Sequence, residues 1–281
     1  MIDDNAVSCE AVEAGVMNRG YAEAVAHLRF LGTSDSQGVP RWWCGCSVCA
    51  EARTLGHNAR TRPGAVLEGI GRVLIDTPPE LRLQCSREGL TGFSAALVTH
   101  AHNDHLLGLG DLADWGRWTG LYCPVYAPAE VLPQIQARFP YLSSESYQAR
   151  TPFGTVEAAG RAFAGYDVTA IRVPHGFNGF SYALRFEREG KTWGYMPDCL
   201  GLSELEPWRN LDLLVLGSSF YQETAPLAGR SVYDVLEAAA LVAELKPKRT
   251  VLTHLGHGVD ARKTPPEGLM YAYDGLVIPL P

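Results

Sequence analysis

Short apolar runs, each closed by turn-forming residues, recur along this chain and read as buried strands. They fall at 27–31, 73–76, 95–98, 168–173, 182–186, 192–196, 211–216 and 250–253. Residues 231–245 show a different period: Val232, Val235, Leu236 and Ala239 sit at helical spacing, with Ser231 and Asp234 as a capping box. The segment Thr77-Pro78-Pro79-Glu80-Leu81 reads as a helix start with proline in the first turn. Residues 1–25 read as an N-terminal extension and 26–281 as one domain. Strand-rich halves that each end in a helix predict sheets packed between helices.

The strand at 95–98 runs into Thr99-His100-Ala101-His102-Asn103-Asp104-His105, an H-x-H-x-D-H cluster. Residues two apart in an extended segment point the same way, so His100 and His102 are placed to grip one ion. Asp104 and His105 fall in the turn beyond, where they face a second. Three more candidate ligands follow apolar runs further along: His175, Asp198 and His254. Each belongs at a strand end, where a sheet edge presents side chains to a shared cleft.

Charge and composition narrow the classes of partner. The formal net charge of −7 disfavours an extended nucleic-acid surface, which needs clustered Lys and Arg. It leaves room for a small anionic substrate, because bound divalent ions reverse the local sign. The acidic start Met1-Ile2-Asp3-Asp4 has no apolar signal region, and no apolar stretch approaches the ~18 residues of a membrane helix. No membrane partner is expected, and a cytoplasmic location is. Seven cysteines, three of them within six positions, point to metal binding rather than disulfides.

Those three are Cys44, Cys46 and Cys49, in a loop spanning 40–60. Three thiolates this close repel one another unless a cation neutralises them, and a closed zinc site takes four ligands. His257, three residues beyond His254, is the expected fourth. One loop then serves both sites, and a structural zinc would pin the segment that carries His254.

The order H-x-H-x-D-H, His, Asp, His resembles the metallo-β-lactamase superfamily from about His27 onward. That resemblance implies an α+β fold, a four-layer αββα sandwich with two metal ions at one edge. It implies His100, His102 and His175 on the first metal, Asp104, His105 and His254 on the second, and Asp198 bridging both. Asp76, ending its strand, is similar to the acidic residue that family members place behind the ligands. Gly32-Thr33-Ser34-Asp35-Ser36-Gln37-Gly38-Val39-Pro40, the C-x-C-x-x-C motif and T-H-x-x-H resemble the cyclic phosphodiesterases of the carbon–phosphorus lyase pathway. Residues 40–46 are also similar to the B protein of pyrroloquinoline quinone biosynthesis.

The implied chemistry is hydrolysis of a small or cyclic phosphate ester by a hydroxide shared between two ions. Asp104 and Asp198 are candidate catalytic residues, and Zn²⁺ and Mn²⁺ both suit the ligand set. The phosphodiesterase family carries a further active-site histidine between the bridging Asp and the last metal His. Here no His lies between His175 and His254; Arg230, Tyr233 and Glu223 are the candidates to replace it. Lactonase or other ester hydrolysis by the same fold, and a non-catalytic accessory role in cofactor biosynthesis, stay open as alternatives. A homodimer is one expected assembly state by the same resemblance.

Overall fold

The computed structural model describes residues 25–54, 56–159 and 163–281. The expected extension at 1–25, apart from Val25, lies outside the described residues, as does Cys9.

The strands are β1 (His27–Gly32), β2 (Gly64–Gly69), β3 (Gly71–Ile75), β4 (Ala95–Leu97), β5 (Val125–Ala127), β6 (Phe153–Thr155), β7 (Asp167–Pro174), β8 (Phe180–Arg188), β9 (Lys191–Met196), β10 (Leu213–Gly217), β11 (Thr250–Thr253), β12 (Leu269–Tyr271) and β13 (Val277–Pro279). They form two sheets, ordered β13-β1-β2-β3-β4-β5-β6 and β12-β11-β10-β9-β8-β7. Three helices of eight residues or more are described: α1 (Leu81–Glu88), α2 (Leu109–Thr119) and α3 (Val235–Leu245).

Side-chain alternation along the strands sorts residues into layers. Leu28, Phe30, Leu67, Val73 and Ile75 face the other sheet's Leu184, Phe186, Trp193, Val215 and Val251, and make the central core. Leu74, between Val73 and Ile75, points the other way and packs with Val66 and Ala96 under Leu81, Leu109 and Leu112 of α1 and α2. On the far side, Val235, Ala238 and Leu245 of α3 cover Met196, Leu214, Leu216 and Leu252. The result is the α/β/β/α sandwich that the sequence resemblance implies. No helix among the described residues is long and apolar enough to cross a membrane.

Strand direction explains where chemistry collects. β3 and β4 are parallel, and so are β9, β10 and β11. β7 runs antiparallel to β8, and β8 antiparallel to β9, so β7 runs with β9. Asp76, the His100–His105 cluster, His175, Asp198 and His254 each follow the C-terminal end of one of these strands.

Two helix starts differ from the sequence expectation. α3 begins at Val235, with Asp234 rather than Ser231 as N-cap: Asp234 accepts from Glu237 N–H, and the Glu237 side chain accepts from Asp234 N–H. Ser231 stays outside because its carbonyl is taken by His175 Nδ1 at 2.7 Å. α1 begins at Leu81, and Pro78 and Pro79 lie in the approach to it rather than in its first turn.

Candidate metal centre

The structure brings the seven expected active-site ligands together in two groups of donor atoms. His100, His102, His175 and Asp198 form one; Asp104, His105, Asp198 and His254 form the other. His100 Nε2 lies 3.0 Å from His102 Nδ1 and 3.0 Å from Asp198 Oδ2. His105 Nε2 is 3.0 Å from Asp198 Oδ2 and 3.3 Å from Asp104 Oδ2, and His254 Nε2 is 3.0 Å from Asp198 Oδ1. Donors each ~2.0–2.1 Å from one tetrahedral ion stand ~3.3 Å apart, so these spacings fit a divalent metal. Two further atoms point the same way. His105 Nε2 and Asp198 Oδ1 are buried and make no hydrogen bond, a cost that an ion among these donors removes.

The other ring nitrogens fix which atom faces the centre. His105 Nδ1–H donates to Asp76 Oδ2 at 2.7 Å. Thr99 donates its backbone N–H and its hydroxyl to Asp76 at 2.8 and 3.0 Å, leaving Thr99 Oγ1 to accept from His100 Nδ1 at 3.0 Å. Asp76 therefore orients one imidazole directly and another through a threonine, which leaves both Nε2 lone pairs aimed at the centre. The Ser231 carbonyl does the same for His175. Asp76 and His254 both adopt left-handed backbone, φ 62° and 59°, where each chain segment turns off its strand. Such conformations persist in non-glycine residues where the surroundings enforce them.

The electrostatics suit a cation. Burial, with His100 and His175 alongside, pushes His102 down to about 4, so its imidazole is neutral near pH 7. Burial works against the Asp198 charge, but His254, His105 and His175 outweigh it and hold the carboxyl well below the usual range. Asp104 is held down in the same way beside His105 and His254.

A third group contains Cys44, Cys46, Cys49 and His257. His257 Nδ1 lies 3.3 Å from Cys44 Sγ and 3.6 Å from the sulfurs of Cys46 and Cys49. A tetrahedral zinc with ~2.3 Å bonds to sulfur and ~2.0–2.1 Å to nitrogen needs S···N separations of ~3.6 Å. Burial, reinforced by Cys46 and Cys44, pushes the Cys49 thiol up to about 11, and a bound cation reverses that. Arg60, nearly fully buried, ties this group to the first two. It donates to the carbonyls of Leu255 (3.1 Å), Gly256 (3.0 Å) and Val259 (2.9 Å), on the loop that carries His254 and His257.

A cavity of about 290 Å³ opens over the donors. None of the three candidates to replace the missing histidine lines it. Arg230 pairs with Glu237, its Nη1 2.9 Å from Oε1, and the expected catalytic role for its side chain does not match this placement. The Tyr233 hydroxyl accepts from Gly201 and Leu202 N–H, and Glu223 accepts from Thr224 and Ala225 N–H. The lining side chains include Gln37, Arg41, Asn178, Ser219 and Ser231, for which the sequence suggested no role at the site. Gln37 lies in the 32–40 segment and Arg41 in the 40–46 one, Ser231 was read only as a helix cap, and Asn178 and Ser219 stand outside any motif.

Residues 71–255 match the family model of the beta-lactamase superfamily domain. Among curated proteins, the octanoyltransferase of Porphyromonas gingivalis is 28% identical over 263 residues, 88% of this chain and 50% of that protein. Coenzyme PQQ synthesis protein B of Methylobacterium radiotolerans is 28% identical over 158 residues, 51% of each chain. This chain thus spans about half the length of those curated relatives. Among solved structures, a new diphosphatase from the PhnP family superposes with a TM-score of 0.76 at 28% identity, over 90% of this chain and 96% of that one. Zn(2+)-bound PqqB from Methylobacterium extorquens superposes at 0.70 with 20% identity, over 90% and 100%, a likeness of fold alone.

Proposed function

The chain belongs to the beta-lactamase superfamily, and on that premise we propose that it is a metal-dependent hydrolase of a small phosphate ester, acting as a phosphodiesterase. In this reading His100, His102 and His175 hold one divalent ion, Asp104, His105 and His254 hold a second, and Asp198 serves both. The observation that carries it is the reach of the Asp198 carboxylate. Oδ2 lies 3.0 Å from both His100 Nε2 and His105 Nε2, and Oδ1 lies 3.0 Å from His254 Nε2. A single ligand that faces both histidine sets is what a dinuclear site requires.

Zinc or manganese held by these residues would supply Lewis acidity and activate water for attack at neutral pH. The protein's own part is positional. Asp76, Thr99 and the Ser231 carbonyl lock the imidazoles in the tautomer that presents a lone pair to the centre. Asp104 and Asp198 keep their charge at neutral pH. Asn178, Ser219 and Ser231 line the cavity and offer hydrogen-bond donors to an anion seated there. The Cys44–Cys46–Cys49–His257 group holds a zinc that is structural, because it braces the His254 loop. The likeness to a diphosphatase at 28% identity supports a phosphorus centre over a carbonyl one.

The test is turnover of bis(p-nitrophenyl) phosphate by the metal-loaded protein. Hydrolysis should be abolished by chelation, restored by Zn²⁺ or Mn²⁺, and reduced by about 100-fold or more in His102→Ala. Absence of turnover in a fully metallated preparation, across phosphodiesters and pyrophosphate esters, overturns the reading. A second reading is a non-catalytic accessory role in cofactor synthesis. What favours it is that Arg230, Tyr233 and Glu223 all lie off the cavity lining, and that relatives include a coenzyme PQQ synthesis protein. Tightly bound metal with no hydrolysis of phosphodiesters, lactones or thioesters distinguishes it.

A further inference from the structure

Among the residues that line the cavity, Arg41 is the one permanently cationic side chain. Asp35, Asp104 and Asp198 are the acids there, so among the lining side chains the fixed positive charge that an anion would meet is this guanidinium. Arg41 is held by Asp35. Its Nη2 donates to Asp35 Oδ2 at 2.7 Å; its Nη1 stands 2.8 Å from His257 Nε2, a nitrogen that keeps its own proton when Nδ1 faces a zinc and so does not accept. Its Nε–H is buried and has no partner among the described residues. The guanidinium carbon stands 5.9 Å from the centre of the Phe220 ring, another wall of the same cavity. A guanidinium has five N–H groups in a planar fork matched to carboxylate and phosphate oxygens. One hydrogen bond, to Asp35, engages a terminal nitrogen here, and the remaining N–H groups are left for a ligand.

The brace itself is built from both metal-bearing loops. Asp35 also accepts from Gln37 N–H at 3.2 Å, which shapes the turn after β1. Gly256 lets that turn close on the His254–His257 loop: a Cβ there would stand 2.4 Å from Asp35 Oδ2 and 2.6 Å from the Ser219 carbonyl. The backbone N–H of Cys44 donates to the Arg41 carbonyl at 3.1 Å, so Arg41 opens the turn that carries the first cysteine. Charge, fork and scaffold thus meet at one side chain between the cysteine group and the histidine groups.

We propose that Arg41 recognises the substrate's negative charge, its braced guanidinium taking a non-bridging oxygen of a phosphate-type anion seated over the histidine and aspartate donors. This rests on the hydrolase reading above for the identity of the anion, but the binding step is separable from turnover.

The experiment uses the full-length, metal-loaded protein and inorganic phosphate as probe, alongside bis(p-nitrophenyl) phosphate kinetics. Arg41→Gln should weaken phosphate binding, read by calorimetry, by roughly 10- to 100-fold, the worth of a charge-assisted hydrogen bond. It should raise KM by a similar factor with kcat within about threefold, the pattern of lost uniform binding. Arg41→Lys, which keeps the charge but not the fork, should fall between the two. Phosphate titration of the wild-type protein should shift the Arg41 Nε–H resonance, a reading that needs no variant to fold. Equal phosphate affinity in wild type and a folded, fully metallated Arg41→Gln overturns the proposal, as does an Nε–H resonance unmoved at saturating phosphate. If wild type binds phosphate through Arg41 yet hydrolyses nothing, the hydrolase reading fails and this one stands.

Discussion

His254 and His257 stand three residues apart on one loop and face different donor groups. His254 Nε2 lies 3.0 Å from Asp198 Oδ1, while His257 Nδ1 lies 3.3 Å from Cys44 Sγ. Leu255 N–H donates to the Thr33 carbonyl at 2.7 Å between them, so the turn after β1 is stitched to the same loop. Whatever fixes His257 therefore limits where His254 goes.

That linkage predicts the effect of breaking the cysteine group. Cys49→Ser should lose one zinc per chain, measured by elemental analysis. A lost structural zinc removes several kcal/mol of folding free energy, so the thermal midpoint should fall by roughly 10 °C or more. Metal binding at the histidine groups should weaken as well, although Cys49 belongs to neither. Unchanged affinity there, with the cysteine zinc gone, would show that the loop holds its shape without it.

Asp76 gives a cleaner test, because the site it orients is adjacent and its own backbone is unusual. At φ 62° an asparagine is tolerated well. Asp76→Asn thus removes the charge without adding backbone strain. It takes away the anionic acceptor for His105 Nδ1–H and Thr99. Active-site metal affinity should drop about 10- to 100-fold, by competition with a chelator of known strength, while the fold is retained. A drop of less than twofold would sink the idea that Asp76 sets the His105 tautomer.

Much of the site was legible because its ligands sit where the sequence announces strand ends. His175, Asp198 and His254 each follow an apolar run, and the runs at 95–98, 192–196 and 250–253 coincide with β4, β9 and β11. β5, β6, β12 and β13 were not legible: three residues are too few to show an alternation, and none runs into a ligand motif that marks its end as β4 does. β2 was missed for another reason, since Gly64 and Gly69 bound its apolar run and only Ile70 separates it from β3. Arg60 escaped because the partners that give it meaning are far along the chain, at Leu255–Val259. No local pattern encodes a contact across about two hundred residues.

Arg230 illustrates the opposite case, a residue singled out by position whose side chain is engaged elsewhere by packing. Its side chain pairs with Glu237, whose own carboxylate completes the α3 capping box. Its carbonyl accepts from Phe177 N–H at 2.8 Å, beside His175. Arg230→Met should therefore cost about 1–2 kcal/mol in denaturant unfolding, since the pair is only partly buried. At saturating substrate, kcat should stay within about threefold of wild type. A fall of 100-fold with unchanged stability would return Arg230 to the chemistry.

Gly217, at the end of β10, bears on the ligand shared by both histidine groups. A Cβ there would stand 1.6 Å from the Pro197 carbonyl oxygen, a backbone atom that has no rotamer to escape into. Pro197 immediately precedes Asp198, so relief of the clash must move the carboxylate or part β9 from β10, which pair at Leu216 and Met196. Overpacking of this kind costs typically ~1–3 kcal/mol where side chains can adjust, and more where only backbone can. Gly217→Ala should accordingly lower stability by at least about 3 kcal/mol and weaken metal binding at both histidine groups together. Gly229→Ala is the control: nothing lies within 4 Å of its added Cβ, and its effect should stay within about 0.5 kcal/mol. If Gly217→Ala instead weakened one metal and spared the other, Asp198 would not be the ligand common to both.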